Sequence, residues 1–333
     1  MRRNRQILLQ GRPSGLPTLD HFRLVESPMP QPKEGELLVR NVLLSLDPYM
    51  RGMMDEGKSY IPPVPVGGVM RGETVGEVVE TRDPRFAAGE IVVGPGHWQE
   101  YASFRAARAR QLDPAAAPVS TALGVLGMPG KTAYVGLFKI AKPKPGETVV
   151  VSAASGAVGA AAGQMAKIHG CRVVGIAGGA AKCRYVTGEL GFDACVDHRA
   201  PGFAEELARA CPDGIDVDFE NVGGGVLAAV WPLLNDFARV ALCGLIAEYN
   251  DTAPRAGPSL GPVLEKRIEV RGFIVIDHEE VTPDFLRETT QWVREGRIRC
   301  REHFVDGLER APEAFLGLFE GRNFGKLIVR VAS

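Results

Sequence analysis

Apolar positions change their spacing part-way along this chain. Up to about residue 128 they alternate with polar ones or form short runs, as in "ELLVRNVLLSLD" (36–47), "GETVGEVVET" (72–81) and "EIVVGPG" (90–96). Valine and leucine at a period of two suit half-buried strands, and "PMPQPKEGE" and "YIPPVPVGG" separate the runs with proline and glycine. This predicts an irregular, partly barrelled β-rich region. Beyond residue 128, strand-like and helix-like stretches take turns. Strands are predicted at 149–152, 172–176, 194–197, 215–220, 238–243 and 268–276, and helices at 159–169, 181–190, 203–211, 226–234 and 282–295. Alternation at this spacing implies a parallel, doubly wound sheet, hence an α/β fold. The tail "FGKLIVRVA" (324–332) reads as a strand with no helix after it, expected to return to the first region. The domains are therefore expected to be 1–128 with 299–333, and 129–298. The segment "TAPRAGPSLGP" (252–262) reads as a loop after a strand end, where ligands sit in such sheets.

Composition narrows the function classes. With 333 residues, 45% hydrophobic and 24% charged, the chain has room for two cores. A net charge of -1 offers no polyanion surface, so no nucleic-acid partner is expected. No apolar stretch approaches the length of a bilayer span, and in "MRRNRQILLQGRPSG" the apolar run is only 7–9, too short for a signal peptide. The cysteines (Cys171, Cys183, Cys195, Cys211, Cys243, Cys300) form no CxxC pair. They read as free thiols in a reducing cytoplasm, and their scatter argues against a structural zinc site.

Candidate chemistry begins at "AASGAVG" (153–159), between the first strand and helix of the alternating region. Gly156 and Gly159 supply the G-x-x-G part of a dinucleotide fingerprint, with Ala154 where its first glycine would stand. Glycine at 156 lets a pyrophosphate approach the backbone, and the following helix offers unpaired amides at Ala157 and Val158. The ligand-free alternative is a tight strand–helix turn. The end of the next strand, "GIAGGAAKCRY", carries no acid to hold a ribose 2′-hydroxyl but does carry Lys182 and Arg184. A 2′-phosphate needs cations there, so the expected cofactor is NADP(H).

The residues "AASGAVG", "DFENVGG", "LCGLIAEYN" and "GRNFGKLIVRV", with "LLSLDPYMRGMM", "GGVMRGETVGEVVE" and "LGVLGMPGKTAYVGL", resemble the zinc-independent medium-chain dehydrogenase/reductases. Within them the chain is most similar to the leukotriene/prostaglandin reductase group and to bacterial NADPH-dependent curcumin reductases. The resemblance implies a GroES-like β domain and a Rossmann domain with the cofactor in the cleft between them. It implies a pyrophosphate turn at Gly156, Ala157, Val158 and Gly159, and a 2′-phosphate lysine at Lys182. His198 stands where several members carry Tyr, followed by Arg199. Asn221 and Asn323 match positions near the nicotinamide half, and Met128, Thr132, Gly178 and Cys243 complete the expected cofactor contacts. Zinc-dependent relatives carry a G-H-E motif. Here Gly72 takes the histidine's place and no cysteine precedes Cys171, so no metal is expected.

The implied reaction is hydride transfer to the β-carbon of an α,β-unsaturated ketone or aldehyde, with the protein stabilising the oxyanion that forms. Tyr249 is the first candidate for the catalytic hydroxyl and Tyr49, in "DPYMR", the second; bracing a loop or packing a turn are the alternatives. His97 and Trp98 read as structural or pocket-lining rather than catalytic. A quinone reductase and a non-catalytic NADPH-binding protein are the competing readings. The strand expected at 268–276 suits pairing with its own copy, which predicts a homodimer.

Overall fold

Val149, Val150 and Val151 are completely buried at the centre of a six-stranded parallel sheet. The computed structural model describes residues 3–331 and divides into two units. One runs from Gly124 to Arg301 with Phe324–Lys326; the other holds the described residues up to Leu123, Glu302–Asn323 and those from Leu327 on. In the first of these the strands lie in the order Ala194–Asp197, Arg172–Ala177, Thr148–Val151, Ile215–Glu220, Leu234–Leu242, Glu269–Gly272, and every pairing is parallel. The chain thus winds outward from Thr148–Val151 in one direction and resumes at Ile215–Glu220 in the other. The crevice outside the carboxyl ends of these two strands is the switch point of a Rossmann sheet. Central strands buried on both faces explain why the sequence shows continuous valine runs rather than alternation.

Several elements differ from the sequence reading. The helix expected at 226–234 spans Gly224–Val230. Trp231–Leu233 then forms a separate turn around Pro232, which has no N–H to continue the helix, and the next strand begins at Leu234 instead of 238. The strand expected over 268–276 covers only Glu269–Gly272. Its neighbour is paired no further than Leu242, opposite Gly272. With no further partner the chain turns at Val275–Asp277, and Phe273 packs edge-on against Phe219. A short helix at Gly261–Lys266 takes up the last two residues of the predicted 252–262 loop.

The other unit is built on a seven-stranded sheet. Glu36–Ser45 pairs antiparallel with Thr74–Thr81, Tyr101–Arg105 and the tail strand Lys326–Arg330, whose Ile328 faces Ser45. The alternation at 36–47 thus does produce a central strand. Its core contains Ile7, Leu44, Met50, Trp98 and Phe315, with Trp98 stacked on Phe22 at 5.8 Å. The antiparallel pair Arg3–Leu9 with Phe22–Pro28, the strand Glu302–Asp306 and the helix Ala311–Phe319 were not anticipated.

Candidate active site

The turn after Thr148–Val151 is made tight by its backbone. Ala153 is left-handed at φ 50°, Ala154 N–H donates to Ile176 O at 2.9 Å, and Gly156 N–H donates to Ala153 O at 2.8 Å. The helix Ala157–Ile168 starts directly behind Gly156. Amides of a helix's first turn lack intrahelical acceptors, so Ala157, Val158 and Gly159 suit an anion. Gly159 has a further reason to be glycine: a Cβ there would sit 2.4 Å from Ala153 O. Close helix-to-turn packing requires it, whatever is bound.

A polar network closes the switch point. The Ser152 hydroxyl donates to Glu220 Oε1 at 2.7 Å, and the same oxygen accepts the N–H groups of Val222 and, at 3.0 Å, Gly223. Asn221 N–H donates to the Ser152 hydroxyl at 2.7 Å, and Asn221 Nδ2 donates to Ser152 O at 2.8 Å. The Asn221 amide is therefore committed to the turn through its donor side. Asp218, two residues before Glu220 and hence on the same face of the strand, is fully buried, and neither of its oxygens has a hydrogen bond. Burial pushes the Asp218 carboxyl well above the carboxylate range, with Glu220 adding to the shift. Burial also raises Glu220, against the donors it accepts. Ser152, Asp218 and Glu220 were missed in the sequence. Their one signal is that polar residues close two strands that become neighbours only in the fold.

Cys243 and Tyr249 follow the next strand. Cys243 N–H donates to Glu220 O at 2.9 Å, and burial pushes its thiol up to about 12. A thiol raised in this way is mainly protonated near neutral pH. The Tyr249 hydroxyl accepts Leu245 N–H at 3.3 Å, and its pKa is raised, first by burial. Tyr249 accordingly keeps a proton it can donate. Gly244 lies beneath it: a Cβ there would approach the Tyr249 oxygen to 2.9 Å.

The end of the second strand carries the cations. A Cβ on Gly178 would lie 2.9 Å from His198 Nε2 and 2.9 Å from Arg199 Nε, so both side chains converge on bare backbone. Asp197 Oδ1 accepts Gly179 N–H at 2.8 Å and Arg199 N–H at 2.9 Å, which ties this strand end to the loop before Ala180–Gly188. Lys182, in the first turn of that helix, is lowered by burial and then by the charge of Arg199. Lys182, His198 and Arg199 thus form one cluster, whose donors fit a phosphate. Arg184 lies further along the same helix and is exposed.

The remaining candidates are spread out. The Thr132 hydroxyl donates to Met128 O at 2.8 Å inside the helix Met128–Tyr134. Tyr49 packs against the apolar core of the other unit, and burial, then Asp47 and Glu73, raise its hydroxyl. Asn323 belongs to that unit as well and is half-buried. Gly72, which stands where zinc-dependent relatives place a histidine, is closely packed: a Cβ would meet the side chains of Leu44, Trp98 and Met50 at 3.0–3.2 Å. Among the described residues no group of three or more His, Cys, Asp or Glu side chains could hold a metal ion.

Comparison with known proteins decides the family. Residues 5–112 match a family model described as the N-terminal domain of oxidoreductase, and residues 157–291 one described as zinc-binding dehydrogenase. The chain is 52% identical over 336 residues to the NADPH-dependent curcumin reductase of Escherichia coli (strain K12), covering 99% of this chain and 97% of that one. It belongs to the zinc-independent medium-chain dehydrogenase/reductases. A second member of the group, the 2-alkenal reductase (NADP(+)-dependent) of Nicotiana tabacum, is 38% identical over 99% of this chain and 98% of its own. The crystal structure of CurA in complex with NADPH from Vibrio vulnificus is 49% identical, with a TM-score of 0.95 over 99% of both chains. Membership accounts for the Rossmann sheet and the β-rich unit together.

Proposed function

We propose that this medium-chain reductase uses NADPH to reduce the carbon–carbon double bond of α,β-unsaturated ketones and aldehydes. The observation that carries the reading is the cluster of Lys182, Arg199 and His198, the last two against Gly178, one strand away from a dinucleotide turn. The names of the relatives, curcumin reductase and 2-alkenal reductase, point to the conjugated substrate.

Bound NADPH supplies a hydride to the substrate's β-carbon. The amides of Ala157, Val158 and Gly159 hold the pyrophosphate, and Lys182 with its neighbours holds the 2′-phosphate. Ser152 and Glu220 keep the turn and Asn221 in place. Tyr249, protonated and anchored by Leu245 N–H, donates a hydrogen bond to the substrate oxygen as negative charge develops there. Met128, Thr132 and Cys243 are proposed cofactor contacts of the same unit. Tyr49 and Asn323 are proposed contributors on the family resemblance alone.

We also propose a homodimer. Glu269–Gly272 is the edge of its sheet and exposes Val270, and Ile276 is exposed just beyond it. An edge of that character invites a second copy. Gel filtration showing only monomer at micromolar concentration would exclude it. The free cysteines are consistent with a cytoplasmic location, which we propose with it. Among the described residues no helix is long and apolar enough to cross a membrane.

The test of the reaction is NADPH oxidation with curcumin, trans-2-nonenal, 3-nonen-2-one, a prostaglandin-type enone and a quinone, with NADH in parallel. Turnover of the enones with NADPH supports the proposal. Turnover of the quinone alone replaces it with a quinone reductase.

A further inference from the structure

We infer that His198 takes up a proton when the 2′-phosphate of NADPH binds beside it, so that this chain reads the phosphate partly by becoming charged. The inference rests on the cofactor reading above and adds a specificity-determining residue to it.

The geometry is that of a cluster. His198 Nε2 and Arg199 Nε both stand 2.9 Å from the point a Cβ of Gly178 would occupy, over a stretch of bare backbone. Lys182 reaches the same space from the helix Ala180–Gly188. The charged groups facing the imidazole are Arg199 and Lys182, both positive, and Asp197, negative. The Asp197 carboxylate is engaged by the N–H groups of Gly179 and Arg199, so it is held as a backbone acceptor at the strand end. In the protein alone, partial shielding and then the two cations keep the ring below its ordinary value, with Asp197 opposing them. The ring is therefore mostly neutral near pH 7. A phosphate dianion at this point reverses the balance, because two negative charges then face a ring that partial shielding and two nearby cations had kept neutral. The proton comes from buffer and stays on the imidazole, which becomes a charge-assisted donor to the phosphate oxygens.

The sign of the linkage follows. Affinity for NADPH is fullest where His198 is already protonated, and falls as pH rises towards the ring's value in the complex. One proton sets a limit of about tenfold in Kd per pH unit. The 2′-phosphate has the opposite tendency. Its second ionisation lies near pH ~6, so a cationic site makes it release a small fraction of a proton at pH 7. A variant that cannot titrate at position 198 leaves only that term.

The experiment is isothermal titration calorimetry of NADPH and NADH into wild type and His198→Gln, at pH 7, in two buffers of different ionisation enthalpy, with Kd for NADPH followed from pH 6 to 8. His198 is exposed, and thermal melts of the variant check its fold. The expected result is proton uptake by wild type with NADPH, none with NADH, and none or slight release by the variant. Wild-type Kd for NADPH should rise with pH, and the variant's should stay flat or fall. Tight NADPH binding with equal proton counts in both proteins would overturn the inference and leave the cofactor reading standing. NADPH bound no more tightly than NADH by wild type would overturn the cofactor reading, and the inference with it.

Discussion

The hydroxyl of Ser152 donates to the carboxylate of Glu220 at 2.7 Å, joining the ends of two neighbouring parallel strands that are 68 residues apart in sequence. Glu220 Oε1 also gathers the N–H groups of Val222 and Gly223. One buried oxygen therefore organises the loop that carries Asn221. Glu220→Ala leaves these donors unpaired, at roughly 1–3 kcal/mol each. A loss of at least about 3 kcal/mol in urea unfolding is expected, with Glu220→Gln costing less because it keeps an acceptor.

Asp218 should make stability depend on pH in the sense opposite to an ion-paired carboxylate. Its folded pKa is raised by burial, so the folded state favours the neutral acid. Stability is fullest below the unfolded value and is lost as pH rises towards the folded one, by at most about 1.4 kcal/mol per pH unit. Asp218→Asn should gain on wild type in urea midpoints between pH 5 and 8 and match it near pH 4. Parallel curves for the two proteins would show that Asp218 does not titrate on unfolding.

His97 has a left-handed backbone, φ 64°, and burial followed by the charges of Arg71 and Arg108 lowers it to about 4. Here the folded state favours the neutral ring. Stability is complete above pH 6.5 and falls as pH drops towards 4, by about 3 kcal/mol in all. His97→Asn, which tolerates the same φ, should flatten that acid limb in thermal melts.

Lys182→Ala tests the cofactor assignment from the cation's side. Losing a charge-assisted hydrogen bond worth about 1.5–3 kcal/mol should weaken NADPH by roughly 10- to 150-fold in direct binding, with NADH unchanged. Equal weakening of both cofactors would mean that Lys182 supports the fold and does not read the phosphate.

Tyr249→Phe should lower kcat for an enone by about 10- to 100-fold with little change in KM, because the hydroxyl acts on charge that develops only in the transition state. An unchanged kcat would assign the oxyanion contact elsewhere and the proton to water.

The sequence by itself determined part of the alternating half of this chain. Val149–Val151, the turn at 153–159 and the strand Ile215–Glu220 are legible because local pattern and final environment agree. The absence of an acid after the second strand, with Lys182 close behind, is likewise a local fact with a direct electrostatic meaning. What only tertiary structure decided depends on partners far away in sequence. The strand Arg3–Leu9 has few apolar residues, and its Asn4 is completely buried because Gln99 and Tyr101 accept from its amide. The predicted strand at 268–276 stops at Gly272, opposite Leu242, where its neighbour's strand ends. Glu220 reads as one more charge in "DVDFE" until Ser152 arrives beside it, and only the fold brings the side chains of His198 and Arg199 over Gly178. Periodicity records which face of an element is buried, whereas hydrogen bonds and charge clusters between elements exist only once the sheet has set its strand order.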